Sequence, residues 1–350
     1  MTNISIAMAT YNGARFIRQQ LDSFSRQTLL PYELIVCDDG SDDSTLSILG
    51  DFARSAPFPI VTVKNPERLG HTANFLKAAR MCKGDLIAFS DQDDEWLPQK
   101  LSRMLQASDD SDALVFGHST EWIDEDGQLT GVVFPPSGPH IKDQETRDFT
   151  GHSTVFRRTF LQMTSHSLTP DNYKSLAGDL EFGHDNLILE VANAMGKVHF
   201  VPDVLMRWRE YPKPERGWKY LIPDPRRPAG SFGEWMFPRD IAIKYEQATL
   251  IYRAHSALLS CIIGDLESFG QDTVNACEQL KKVANLDSRK ADVMDVRARF
   301  YRSQSRKERL SLMVEGIALG QYRQRGKGGL RIHNAPRDII AWLFNVKRYE

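Results

Sequence analysis

Compact apolar runs alternate along the first ninety residues with stretches whose apolar positions recur every three or four places. Residues 4–9 (ISIAMA), 34–37 (LIVC), 60–63 (IVTV) and 86–89 (LIAF) read as buried strands. Between them, Phe16, Ile17, Leu21 and Phe24, then Leu46, Leu49 and Phe52, then Ala73, Phe75, Leu76 and Ala79 fall at helical spacing. Asp42, Asp43 and Ser44 offer N-caps for the second helix. Four rounds of strand and helix predict a parallel sheet with helices on both faces and right-handed crossovers.

The pattern then loosens. A helix is expected at 101–105, strands at 113–117 and 132–134, and a loop at 135–139 (PPSGP). A short strand covers 151–158 (GHSTVFRR), and a helix follows Gly183-His184-Asp185-Asn186 with Leu187, Ile188, Val191, Ala192 and Met195 on one face. A strand at 198–201 leads into LMRWREY at 205–211. Residues 212–238 are rich in Pro, Arg, Gly and Trp, as a long loop or lid is. Beyond them the chain reads as helical. One face carries Tyr245, Ala248, Ile251, His255, Leu258, Leu259 and Ile262, where His255 reads as a core histidine. Further helices are expected near 273–284, 291–303, 309–320 and 337–346. The implied division is an α/β domain over 1–225 and a mainly helical region over 226–350.

Composition narrows the class. With 41% hydrophobic and 26% charged residues in 350, the chain has the make-up of a soluble globular protein. A net charge of −2 gives no nucleic-acid signature. Four scattered cysteines without CxxC spacing point to a reducing compartment and against a zinc site. No apolar run approaches the ~20 residues that span a bilayer, and the N-terminus lacks the basic region of a signal peptide. The expected location is the cytoplasm, with a peripheral position at the inner membrane face as an addition.

The chemistry lies at strand ends, where open α/β sheets bind ligands. Three ends carry polar clusters: Thr10-Tyr11-Asn12, Asp38-Asp39, and Asp91 to Asp94. GxGxxG and GxxxxGK[ST] are both missing, which excludes a dinucleotide fold and a P-loop kinase. Residues 83–98 read KGDLIAFSDQDDEWLP, with four acids in five positions, Asp91, Asp93, Asp94 and Glu95. Such a cluster suits a hard divalent ion that also holds a phosphate. Alternatively it is a solvated loop leading to a helix that Pro98 helps to start. Carboxylates in place of phosphate-cradling glycines suggest a nucleoside diphosphate held through a metal, with Asp39 free to accept hydrogen bonds from the base or ribose. His184-Asp185 is either a second chemical site or a helix N-cap.

Three segments in order and at characteristic spacing, ATYNG at 9–13, CDDGSDDST at 37–45 and KGDLIAFSDQDDEWLPQKL at 83–101, resemble the family 2 glycosyltransferases. These are inverting enzymes of GT-A fold, with a Rossmann-like, mostly parallel sheet. The resemblance covers about residues 3–210. The later segments are similar to the subgroup that builds bacterial surface polysaccharides and includes rhamnosyltransferases. They depart from its TGCTMMFN and YRQH patterns at His152-Ser153-Thr154 and at Trp208-Arg209-Glu210-Tyr211. The resemblance implies transfer of a sugar from a nucleotide sugar, dTDP-rhamnose or a UDP-sugar, to a growing O-antigen, capsule or exopolysaccharide. Thr10, Tyr11, Asn12 and Asp39 would hold the nucleoside. Asp91, Asp93 and Asp94 would form a DXD-type site for magnesium or manganese. Asp185 would be the general base, with His184, His152 and Trp208 near the acceptor or behind the site. Arg207 and Arg209 would clamp the diphosphate or an anionic acceptor, or else be surface charges on a strand. Two other readings stay open: a sugar nucleotidyltransferase, whose Gly-rich basic loop residues 9–15 lack, and a non-catalytic scaffold of this fold.

The C-terminal region is basic. Arg297, Arg299, Arg302, Arg306, Lys307 and Arg309 stand against Glu308, and further cations flank an apolar segment at 339–344. This suits an interfacial membrane anchor. It equally suits helices that pack on the catalytic domain or on a second copy of the chain.

Overall fold

The computed structural model describes residues 2–134, 151–178, 180, 182–210, 241–270, 273–303 and 305–319. The chain divides into two compact units, Met1–Pro214 with Gly264–Cys277, and Glu215–Ile263 with Glu278–Glu350.

The first unit is built on a nine-stranded sheet in the order β3-β2-β1-β4-β8-β6-β9-β5, with β7 pairing β6. Its first half is the expected parallel set: β1 (Ile4–Thr10), β2 (Glu33–Asp38), β3 (Ile60–Lys64) and β4 (Leu86–Ser90). β1, β2 and β4 are buried almost throughout, whereas the edge strand β3 is largely exposed. Helices α1 (Ile17–Ser25), α2 (Thr45–Ala53) and α3 (His71–Met81) make the crossovers. Ile17, Leu21 and Phe24 of α1 are fully buried with Ile6, Met8, Leu34 and Val36 in one apolar core. Phe24 meets Trp96 edge to face, ring centroids 4.7 Å apart.

The second half is mixed. β5 (Glu95–Trp96) runs antiparallel to β9 (Val198–Arg209). The short β8 (Val155–Arg157) lies antiparallel between β4 and β6 (Val115–Ile123), and β6 runs parallel to β9. β6 is longer than the expected 113–117 because His118, Ser119 and Thr120 are buried polar residues, which hide a strand from a hydrophobic reading. β7 (Leu129–Phe134) likewise starts earlier than expected. α4 (Lys100–Asp109) covers the expected helix, and α7 (His184–Ala194) opens on the His-Asp pair. Two short helices escape a periodicity reading, α5 (Thr159–Met163) and α6 (Pro170–Ala177). For α6 the signal is local: Thr169 caps it by accepting from Asn172 N, and Pro170 opens its first turn.

In the second unit, Ala242, Tyr245 and Ala248 of α8 (Ile241–Phe269) share a core with Met294, Phe300 and Tyr301 of α9 (Val274–Arg302) and Leu312 of α10 (Arg306–Ala318). The two helices expected at 273–284 and 291–303 are one, since no Gly or Pro interrupts 285–290. Asp287 in that stretch is buried and accepts from Lys290 Nζ at 2.8 Å, and its other carboxylate oxygen pairs with His255 Nδ1 at 2.7 Å. His255 on the apolar stripe is therefore held by a hydrogen bond with the buried Asp287. Much of the basic cluster is consumed internally. Arg299 pairs with Asp295 and Glu315, Arg302 pairs with Glu246, and Arg297 is buried between Tyr245 and Tyr301. The loops expected at 135–139 and 212–238, the helix at 337–346 and the apolar segment 339–344 lie outside the described residues.

Candidate active site

The parallel arrangement of β1, β2 and β4 brings three polar clusters to one end of the sheet. Behind β1, Asn12 adopts a left-handed backbone, φ 48°, and is tied to the β2 loop. Its N–H donates to Ser41 Oγ, and its Oδ1 accepts from Asp42 N. Tyr11 is 39% exposed and lies under the Arg68 guanidinium, 4.0 Å from the ring centroid. Gln92, the middle residue of the D-Q-D sequence, clips this turn to β4. Its Oε1 accepts from Tyr11 N and its Nε2 donates to Tyr11 O, both at 3.1 Å. A Cβ on Gly13 would come within 2.2 Å of Gln92 Oε1, so a larger residue there would displace the Gln92 side chain from this clip.

At the end of β2, Asp38 is fully buried and accepts from Thr10 Oγ1, Gly40 N, Ser41 N and Ser41 Oγ. Thr10 is buried and occupied by this bond. Asp39 accepts from Asn65 Nδ2 (2.7 Å), Leu69 N (2.9 Å) and Gly70 N (2.8 Å). The expectation that Asp39 is free for a base or ribose needs correction. Three of the roughly four acceptor sites of a carboxylate are taken by the 65–70 loop, which leaves at most one on Oδ2.

The end of β4 is different. Asp94 is 1% exposed. Its Oδ1 accepts from Arg209 N at 3.1 Å, while its buried Oδ2 has no hydrogen-bond partner. Burial, reinforced by the charges of Asp93 and Asp91, pushes its carboxyl well above the usual range, against the Arg209 amide and Lys100. Asp91 goes the other way. Burial raises its pKa, but a hydrogen bond from His152 and the positive fields of His71, His152 and His184 outweigh that and bring it down to about 2. His152 Nδ1 is 3.7 Å from Asp91 Oδ2, and its ring stacks on Trp208 with centroids 5.4 Å apart. Among the described residues, Asp91, Asp94 and His152 each present one ligand atom within 4.8 Å of the others. The structure thus groups Asp91 and Asp94 with His152 instead of with Asp93. A bare, buried carboxylate oxygen beside a second carboxylate and an imidazole fits a divalent cation that accepts oxygen and nitrogen donors.

Asp185 stands in the first turn of α7 and accepts from Gly151 N at 2.7 Å through Oδ2. No side-chain capping bond is made at the N-cap, Gly183. The two glycines allow the approach: a Cβ on Gly183 would lie 2.3 Å from Asp185 Oδ1, and one on Gly151 2.8 Å from His184 Nε2. His184 lies behind the site, one of the two places expected for it. It is buried, stacks on Phe75 at 4.0 Å, and lies edge-on to Phe89 at 4.5 Å. Neither of its ring nitrogens has a hydrogen-bond partner, and burial lowers its pKa to about 4.

The two arginines differ in burial and in their partners. Arg209 is 3% exposed, and its guanidinium donates to Asp93 O, Asp124 O, Glu125 O and Gln19 Oε1. Arg207 pairs with Glu121 at 2.8 Å and Glu95 at 3.5 Å. Both guanidinium groups thus engage neighbouring strands and loops. A residue that sequence reasoning missed is Lys100, buried at the start of α4. Burial drives its pKa well down against the fields of Asp94 and Asp91.

Residues 5–163 match the family model described as glycosyl transferase family 2. Among curated proteins, the chain is 32% identical over 136 residues to the Escherichia coli UDP-Glc:alpha-D-GlcNAc-diphosphoundecaprenol beta-1,3-glucosyltransferase WfaP, covering 39% of this chain and 53% of that protein. It is 34% identical over 116 residues to the dTDP-rhamnosyl transferase RfbG of Shigella flexneri, covering 32% of this chain and 38% of that one. The matches span about half or less of these relatives' length. Among solved structures, S. aureus TarS 1-349 in complex with UDP-GlcNAc aligns over 91% of this chain and 89% of its own, with TM-score 0.51 and 16% identity, a likeness of fold.

Proposed function

We propose that the N-terminal part of the chain, which matches the family 2 glycosyltransferase model over residues 5–163 and has the fold of its GT-A neighbour, transfers a sugar from a pyrimidine nucleoside diphosphate donor to a bacterial surface glycan, with inversion. The observation that carries this reading is the meeting of Asp91, Asp94 and Asp185 around the 151–153 turn at the carboxyl ends of the parallel strands. The donors and acceptor named for WfaP and RfbG, UDP-glucose, dTDP-rhamnose and a diphosphoundecaprenol-linked sugar, indicate the substrate class.

In this reading Tyr11, Asn12 and the remaining acceptor site of Asp39 border the nucleoside. Asp91, Asp94 and His152 hold a divalent cation, with Asp93 beside them. When bound, magnesium or manganese neutralises charge that builds on the departing diphosphate. Asp185 keeps Oδ2 on the Gly151 amide and takes the acceptor hydroxyl proton on Oδ1, as general-base catalysis requires. Trp208, stacked on His152, offers its ring to a sugar. Residues 1–225 would carry the chemistry and 226–350 the contacts to acceptor, membrane or a second copy. Among the described residues, no helix is long and apolar enough to cross a membrane.

The test is nucleoside diphosphate release from UDP-glucose, UDP-GlcNAc and dTDP-rhamnose with manganese and a lipid-linked acceptor. Asp185→Asn keeps the shape and should lower kcat by ~10²-fold or more with near-normal donor affinity. Turnover of Asp185→Asn at the wild-type rate would remove the base from this account.

A further inference from the structure

Lys100 has no exposed surface. Its Nζ donates to the His152 carbonyl at 2.8 Å, lies 3.5 Å from Met206 Sδ, and sits 3.7 Å from the centre of the Trp96 ring. A buried ammonium is costly unless its partners compensate, and only one of these three partners is an oxygen. An apolar residue would fill the same space at the start of α4, so the hydrogen bond to His152 calls for an explanation.

The segment that Lys100 grips touches both parts of the site. Gly151 N donates to Asp185 Oδ2, the His152 ring faces Asp91 Oδ2, and the His152 carbonyl accepts from Lys100. The segment has no slack on its other side, because a single added Cβ at Gly151 would meet His184 Nε2 at 2.8 Å and Asp185 Cβ at 3.1 Å. We propose that Lys100 is a positioning residue: by holding the His152 carbonyl it fixes the Gly151–Ser153 turn, and through that turn it sets the Asp91–His152 pair and Asp185 in register with each other. Lys100 has no exposed surface from which to reach a donor or an acceptor. The inference rests on the reading above that Asp91, Asp94 and His152 take a cation.

The test uses the full chain, with Mn2+ alone as the probe and amide hydrogen exchange as a second readout. Lys100→Met keeps the length and removes the donor. Exchange at residues 151–154 should speed up at least tenfold while β1 and β2 keep their protection. Mn2+ affinity should fall about tenfold, the scale on which groups that orient metal ligands act. A residue that served stability alone would lower the melting temperature without this local loss. Unchanged exchange at 151–154 in folded Lys100→Met overturns the proposal. Should Lys100→Met fail to fold, Gly151→Ala displaces the same turn without altering Lys100. It should also weaken Mn2+ about tenfold, and unchanged affinity there overturns the linkage. If the wild type binds no Mn2+, the cation reading fails, while the exchange result still decides the role of Lys100.

Discussion

At the carboxyl end of β2, Asp38 and Asp39 together accept seven hydrogen bonds from the loops around them. At the carboxyl end of β4, Asp94 accepts one from the Arg209 amide and buries its second oxygen without a partner, while Asp91 faces an imidazole. The two clusters look alike as text, CDDG and SDQDD, yet differ in what remains unsatisfied. A saturated carboxylate organises the chain. A buried carboxylate with a bare oxygen disfavours the native state unless something positive arrives. Function is read from the second kind.

The largest effect that tests this contrast should come from Asp38→Ala. It strands donors of Thr10, Gly40 and Ser41 and should cost about 4 kcal/mol, since each buried donor left unpaired costs roughly 1–3 kcal/mol. Urea unfolding measures it, and a loss below about 1 kcal/mol would mean that the β2 cluster is not structural.

His184 provides a pH-dependent counterpart. Burial holds its native pKa at about 4, below the ordinary histidine value of about 6.5, so between these values the unfolded chain binds a proton that the native state refuses. Stability from this group is present above about pH 6.5 and is lost as pH falls toward 4, by about 3 kcal/mol in full. His184→Phe should flatten that part of the stability–pH curve. Equal slopes in the two proteins would show that the imidazole titrates freely.

Asp39→Ala should cost less, about 2 kcal/mol, because Leu69 N and Gly70 N are only part-buried and can turn to water. The smallest effect has the opposite sign. Asp94 is pushed up by burial and by Asp93 and Asp91, so its contribution favours folding at low pH and is lost as pH rises through its native pKa. Asp94→Asn should therefore stabilise the metal-free protein by about 1 kcal/mol at pH 7, and the gain should vanish near pH 3, where both side chains are neutral. A loss of stability at pH 7 would mean that Asp94 is already satisfied.

The parallel half of the sheet was readable because β1, β2 and β4 each carry a compact apolar run, and the helices between them follow a clean period. The mixed half was harder. Buried polar residues interrupt β6, and β5 is two residues long. The acids of the site stood out in sequence, but their status did not. Only the fold shows that the 65–70 loop occupies Asp39, that Arg209 is spent on three backbone carbonyls and Gln19, and that His152 reaches Asp91 from 61 positions away. Lys100 gave no signal, since a lysine early in a helix ordinarily reads as solvent-exposed.

The most direct measurement compares thermal unfolding of the wild type, Asp94→Asn and Asp39→Asn across a Mn2+ titration, because a ligand that binds only the native state raises its stability with concentration. The expected result is a rising midpoint for the wild type and Asp39→Asn and a flat response for Asp94→Asn. An equal Mn2+ response in Asp94→Asn, or none in the wild type, would contradict the assignment of the β4 cluster as the cation site.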